Sequence, residues 1–294
     1  MLSKMSNLAQ RVIAGVLGAA VLINAIYWNE WSFFVIFLLI MSFSLWEFYT
    51  ILEKANFKPT KKLAIGVGIL MFSGVFFVQE AQDFYLLTSF YPILILASLT
   101  LMFLLFILKL YDKTDTQPFT NLAMTILGLV YVCLPFTLFL EASYVTVSLP
   151  KGKQIIGSFS MYNYQIPLGI LFCLWASDSG AYFVGRKLGK TKLFERISPK
   201  KSWEGLAGGM FFSQMVAWVL SMYFTSIEAW KWFVISGIIV TIGTYGDLVE
   251  SMLKRSLGIK DSGSVIPGHG GFLDRFDGLL VAMPFVALFL KLFA

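Results

Sequence analysis

The chain has 294 residues, 57% of them hydrophobic and 14% charged, with a mean hydropathy of +0.75 and a formal net charge of +6 at pH 7. That balance excludes a soluble globular domain and gives no reason to expect a nucleic-acid partner; it describes a polytopic membrane protein. A bilayer core takes about 20 apolar residues per helix, so a chain of this length holds roughly nine spans.

Arg11 precedes the first apolar run, Val12 to Trp28. No small-residue cleavage site follows, and Trp31 opens another apolar run at once, so the first run is expected to be a retained helix rather than a removed signal. The next predicted spans are 31–52, 63–79, 85–108 and 119–141. Residues 1–145 thus read as a hydrophobic scaffold of five helices, with short loops and only Glu47 charged at membrane depth. Cys133 lies here and Cys173 in the following half; both sit in apolar segments and are expected to be buried small hydrophobes, not a disulfide.

Residues 164–294 form a second region of four predicted spans, 165–185, 203–224, 230–250 and 277–293, joined by two long polar loops. Trp28, Trp31, Trp203, Trp230 and Trp232 fall at span ends, where indole rings favour the headgroup layer. With the N-terminus placed in the cytoplasm, only Lys151, Lys153, Lys231 and Lys291 of the 23 bases are left outside. The expected fold is therefore an all-α membrane protein of nine helices, N-terminus cytoplasmic and C-terminus on the outer side.

Intramembrane acids mark the second region. Asp178 lies well inside the sixth span, where a carboxylate is costly unless paired, hydrated or bound to a cation. The loop after it is basic and ends in Ser198-Pro199-Lys200-Lys201-Ser202-Trp203-Glu204-Gly205. Hydroxyls and lysines there stand beside a helix start, which favours phosphate. Such a loop also serves as a topology signal with affinity for anionic lipid. Gly205, Gly208 and Gly209 allow close helix packing.

In the eighth span Asp247, Glu250 and Lys254 recur at spacings of three and four and share a helix face. A polar run from Ser251 to Asp277 follows, with Lys254, Arg255, Lys260, Asp261, the sole histidine His269, Asp274, Arg275 and Asp277. Asp247, Asp274 and Asp277 are expected to supply hard oxygen ligands to Mg2+, which typically takes only one or two protein carboxylates and completes its shell with water and phosphate. Capping of the last helix is the bland alternative for Asp274 and Asp277.

This run resembles the signature of the phosphatidate cytidylyltransferase family. Its positions are Ser251, Lys254-Arg255, Lys260-Asp261, Pro267, His269-Gly270-Gly271 and Asp274-Arg275-Phe276-Asp277, with spacing intact. The likeness extends to Asp178–Phe183 and Ser198–Gly205, so it covers roughly residues 175–280. The resemblance implies transfer of CMP from CTP to phosphatidate, giving CDP-diacylglycerol and pyrophosphate. It implies Mg2+ with or without a second cation, a homodimer, and a multi-pass place in the inner (plasma) membrane with the site facing the cytoplasm. Asp247, Lys254, Arg255, His269, Asp274, Arg275 and Asp277 are then catalytic candidates. Asp178, Ser198, Lys200, Lys201, Ser251, Lys260, Gly270 and Gly271 are candidates for substrate contact.

Two rivals share the hydropathy. A polar-solute transporter explains intramembrane acids but not the phosphate-type loops, and no internal repeat is visible. A CDP-alcohol phosphotransferase requires Asp-Gly-x-x-Ala-Arg and later aspartates; Asp277-Gly278-Leu279-Leu280-Val281-Ala282 has no arginine and no acid after it.

Overall fold

The computed structural model describes residues 7–80, 90–113, 115–151, 154–259 and 270–293. Among them each predicted apolar run lies on helix: α1 (Asn7–Trp28), α2 (Glu30–Lys54), α3 (Lys61–Glu80), α4 (Phe90–Leu110), α5 (Pro118–Ala142), α6 (Gln165–Leu188), α7 (Trp203–Tyr223), α8 (Ala229–Ser256) and α9 (Leu273–Phe293). Seven of these, all but α1 and α4, are long and apolar enough to cross a membrane; α1 and α4 show shorter apolar stretches, Gly15–Trp28 and Leu96–Leu110. Two antiparallel hairpins are additions to the all-helical expectation: β1 (Tyr144–Lys151) with β2 (Gln154–Tyr162), and β3 (Lys192–Phe194) with β4 (Ser198–Ser202). The chain divides into two compact units, with the break after Tyr162; residues 270–273 pack with the first unit and α9 from Asp274 onward with the second.

The first unit is held by aromatic packing and buried backbone contacts. Phe33, Phe37, Phe136 and Phe139 form a core cluster, and Phe34 stacks on Phe76 at 4.2 Å. Pro135 has no N–H to offer the carbonyl four residues back, and α5 absorbs this in a π turn over Leu129–Cys133. Just before that turn, Gly128 lets the buried Tyr49 hydroxyl reach the Thr125 carbonyl at 2.7 Å; a Cβ at Gly128 would lie 2.5 Å from that hydroxyl.

Polar ties fix which helix ends lie together in this unit. Lys109 donates to the Lys58 carbonyl (2.9 Å) and to Asp115 (2.6 Å), while Asn121 bridges Asp115 and the Lys58 N–H. The loops after α2 and α4 therefore meet at one end. The Tyr144 hydroxyl donates to Glu80, and the Tyr162 hydroxyl to the Ile26 carbonyl, which joins the ends of α1 and α3 to the first hairpin. Glu47 is buried and accepts the Leu273 N–H at 2.9 Å.

The second unit is a glycine-lined bundle. A Cβ at Gly180 would sit 2.7 Å from the Gly208 carbonyl, so α6 and α7 touch backbone to backbone, as small residues allow where helices cannot rely on a hydrophobic drive. Ser213 donates to the Cys173 carbonyl and receives the Ser236 hydroxyl, both at 2.9 Å, tying α6, α7 and α8. Both cysteines are buried and free. α8 and α9 approach at Gly246, where a Cβ would lie 2.6 Å from the Asp277 carbonyl.

Candidate active site

Three helices and the second hairpin of this unit enclose a cavity of about 580 Å3. Asp178, Tyr182 and Arg186 recur every fourth residue on α6, so they share the face that forms one wall. Lys192, Lys200 and Lys201 enter from the hairpin, Ser202 and Gly205 from the start of α7, and Thr244 and Asp247 from α8. Local chemistry sets the hairpin in place. Ser202 caps α7 by accepting the Gly205 N–H at 3.1 Å. Two residues on, the Glu204 carboxylate accepts the backbone N–H groups of Lys190 and Thr191 at 3.1 and 3.0 Å, and the Trp203 N–H reaches the Thr191 carbonyl at 3.0 Å. Lys200 and Lys201 thus stand on an anchored strand.

Within the cavity the Lys201 ammonium pairs with Asp247 and donates to the Thr244 carbonyl at 3.3 Å. Their side chains are 26% and 30% exposed, so water reaches the pair and an incoming phosphate can compete for the ammonium. Asp178 opens to the cavity despite its place within an apolar helix, and Asp178, Asp247 and Asp277 lie within electrostatic reach of one another. Lys201 and Arg275 offset the charge on Asp178. A second cluster lies farther along α8. Lys254 bridges Glu250 (2.7 Å) and Asp274 (2.8 Å), and the Glu250 side chain is 2% exposed. Three charges held in such surroundings stabilise one another only as a set.

The expected three-aspartate cation site is not assembled in this arrangement. Among the described residues no three Asp, Glu, His or Cys groups surround one point. Spacing puts Asp274 and Asp277 on one helix face, but Lys254 takes Asp274. Asp247 and Asp277 remain as hard oxygen donors on helices whose backbones meet at Gly246, and Asp277 accepts only its neighbour Gly278 N–H (2.8 Å) among the hydrogen bonds seen there. Two carboxylates are what Mg2+ typically takes from a protein, so the donor chemistry fits a cation held by Asp247 and Asp277.

Of the other sequence candidates, Asp178, Lys200 and Lys201 line the cavity. Ser198 begins β4 without reaching the lining, and Ser251 is half-buried on α8. Arg255 is exposed and donates to the Ile259 carbonyl at 3.4 Å, and Arg275 is exposed at the start of α9. Gly270 takes a left-handed φ of 80°, which glycine adopts without strain, and Gly271 is buried. Lys260 and His269 lie outside the described residues. Tyr182, Arg186, Lys192 and Thr244 also line the cavity; sequence reasoning gives Arg186 and Thr244 no role, places Tyr182 only within the Asp178–Phe183 likeness, and expects Lys192 to matter far less than Lys200 and Lys201. The four-residue spacing from Asp178 to Arg186 was the available signal for two of them.

Comparison with known proteins covers nearly the whole chain. A profile described as the cytidylyltransferase family matches residues 9–293. A protein of Bacillus subtilis (strain 168) named phosphatidate cytidylyltransferase is 29% identical over 299 residues, covering 99% of this chain and 100% of its own. The protein of that name from Staphylococcus saprophyticus is 32% identical over 255 residues, covering 86% and 90%. One from Synechocystis is 30% identical over 305 residues, covering 96% of each.

Proposed function

This chain belongs to the cytidylyltransferase family, and from that premise we infer that it is a phosphatidate cytidylyltransferase, making CDP-diacylglycerol and pyrophosphate from CTP and phosphatidate. The single observation that carries the site assignment is the cavity that Lys200, Lys201, Arg186 and Lys192 line together with Asp178 and Asp247. Phosphatidate brings its own anionic nucleophile, so the reaction needs no strong base. One of its phosphate oxygens bonds to the α-phosphorus of CTP as the bond to the β-phosphate oxygen breaks, and pyrophosphate leaves with the electron pair. The obstacle is the meeting of two polyanions. Fixed cations aimed at the developing charge lower it, and alignment of the two phosphates supplies the rest.

Lys201 is placed to exchange Asp247 for a substrate phosphate oxygen. Lys200 stands beside it, and Asp178 orders water and cations at the inner end. A divalent cation held by Asp247 and Asp277 supplies charge neutralisation at the phosphates when bound. A cavity lined by helices long and apolar enough to cross a membrane suits a lipid that stays in the bilayer while CTP arrives from the cytoplasm. The wider reading is of nine spans in the inner (plasma) membrane, N-terminus and cavity cytoplasmic, C-terminus outside, with a second copy of the chain as partner. Residues 1–145 act as scaffold and 164–294 carry the chemistry.

Membranes containing the chain, given CTP, phosphatidate and Mg2+, should yield CDP-lipid. Replacing Lys200 and Lys201 together by alanine should lower that yield by roughly tenfold or more, as expected for charge-assisted contacts to phosphate. Lys190→Ala, which removes a base outside the cavity lining, should leave it nearly unchanged. Equal, small effects from both would reduce the loop to a topology signal.

A further inference from the structure

We propose that Arg186 and Lys192 grip the β- and γ-phosphates of CTP, the half that leaves as pyrophosphate. The proposal rests on the reading of CTP as the nucleotide substrate.

On α6 the acid and the base that line this cavity are set apart. Asp178 and Arg186 are eight residues apart on the same face, which is about 12 Å along the helix axis at roughly 1.5 Å per residue. Asp247 and its partner Lys201 belong with the acidic group that reaches Asp178. Arg186 and Lys192 are both exposed, and among the described residues neither is paired with a carboxylate. The Arg186 guanidinium is oriented by the Tyr182 hydroxyl at 3.0 Å, which leaves its other N–H groups available as a fork for phosphate oxygens. Lys192 is carried by the hairpin that Glu204 pins to α7, so both cations are positioned before a ligand enters. Negative charge grows on the β-phosphate oxygen as its bond to the α-phosphorus breaks. Cations already in place hold these phosphates in the bound nucleotide and also meet the added charge as it grows.

The test uses the full-length purified chain and the variants Arg186→Gln, Arg186→Lys, Lys192→Gln and Lys190→Gln. KM for CTP, KM for phosphatidate and the inhibition constant for inorganic pyrophosphate are measured, together with the rise in Tm that pyrophosphate alone produces. The expected result for Arg186→Gln and Lys192→Gln is a rise of roughly tenfold or more in the CTP KM and the pyrophosphate constant, with loss of the Tm shift, since each removes a charge-assisted contact. The phosphatidate KM should stay within about threefold, as should all values for Lys190→Gln, and Arg186→Lys should recover part of the loss. A higher phosphatidate KM with pyrophosphate inhibition intact would assign the pair to the lipid headgroup and overturn the proposal. So would values unchanged throughout. If the wild-type chain makes no CDP-lipid, it is the activity reading that fails, and the pyrophosphate Tm shift still reports on whether the two cations bind a polyphosphate.

Discussion

Asp247 connects two charge systems: its carboxylate takes Lys201 from β4 and repels Asp178 and Asp277 across the helix contacts. If Asp247 and Asp277 share a cation, losing either removes a hard ligand from the centre that neutralises phosphate charge. That charge stabilisation is worth several kcal/mol, and about 1.4 kcal/mol is tenfold in rate. Asp247→Ala and Asp277→Ala should each lower kcat/KM by roughly a thousandfold with insertion retained, and the double variant should add little, because groups acting as a unit are not additive. Steady-state kinetics on the three variants check this; a double variant that kept about a tenth of wild-type turnover, far above the loss expected for a shared cation, would end the shared-cation reading. A position within an apolar span is what marks Asp178 and Asp247 in the sequence, and both line the cavity. Residue choice was not legible where neighbouring bases look alike: nothing in Arg186, Lys190 and Lys192 as letters says which of them line a cavity. Thr244 enters through its carbonyl, which no side-chain reading detects. Asp274 meets Lys254 from α8, a contact that the spacing of the acids does not point to.

Helices were the legible elements, because a run of apolar residues of spanning length has few other solutions. The hairpins were less visible. β1 and β2 carry valines and isoleucines suited to strands but sit between apolar helices, where hydropathy dominates the pattern. β3 has only three residues and depends on Glu204 for its position. Gly205, Gly208 and Gly209 predict close packing of α7, and the geometry extends this to α8 and α9. Gly246→Ala should therefore damage activity without removing a charge: its Cβ would meet the Asp277 carbonyl at 2.6 Å, and the two helices must part just where Asp247 and Asp277 face each other. Gly237→Ala, whose nearest neighbour would be the Gln214 amide at 3.8 Å, should be tolerated. Comparing turnover and detergent Tm of the two variants tests whether helix approach sets the site; equal activities would show that it does not.

At the scale of the molecule, the proposed topology rests on how charged and polar groups are distributed over the helix ends. In the first unit, the loops after α2 and α4 meet through Lys109, while the ends of α1 and α3 join the first hairpin, so successive helices alternate in direction. A single cysteine at Lys190 should react with an impermeant thiol reagent only from the cytoplasmic side, and one at the exposed Glu228 only from the other side; Cys133 and Cys173 are buried and give little background. Reversed labelling would separate the cavity from CTP. The most direct measurement follows two labels through one reaction. Purified chain is given phosphatidate, Mg2+ and CTP labelled at the α- or the γ-phosphate. The α label should move into the lipid and the γ label should appear as pyrophosphate, with both transfers lost in Asp247→Ala. A γ label in the lipid, or an α label that stays water-soluble while phosphatidate is consumed, would contradict CMP transfer at this site.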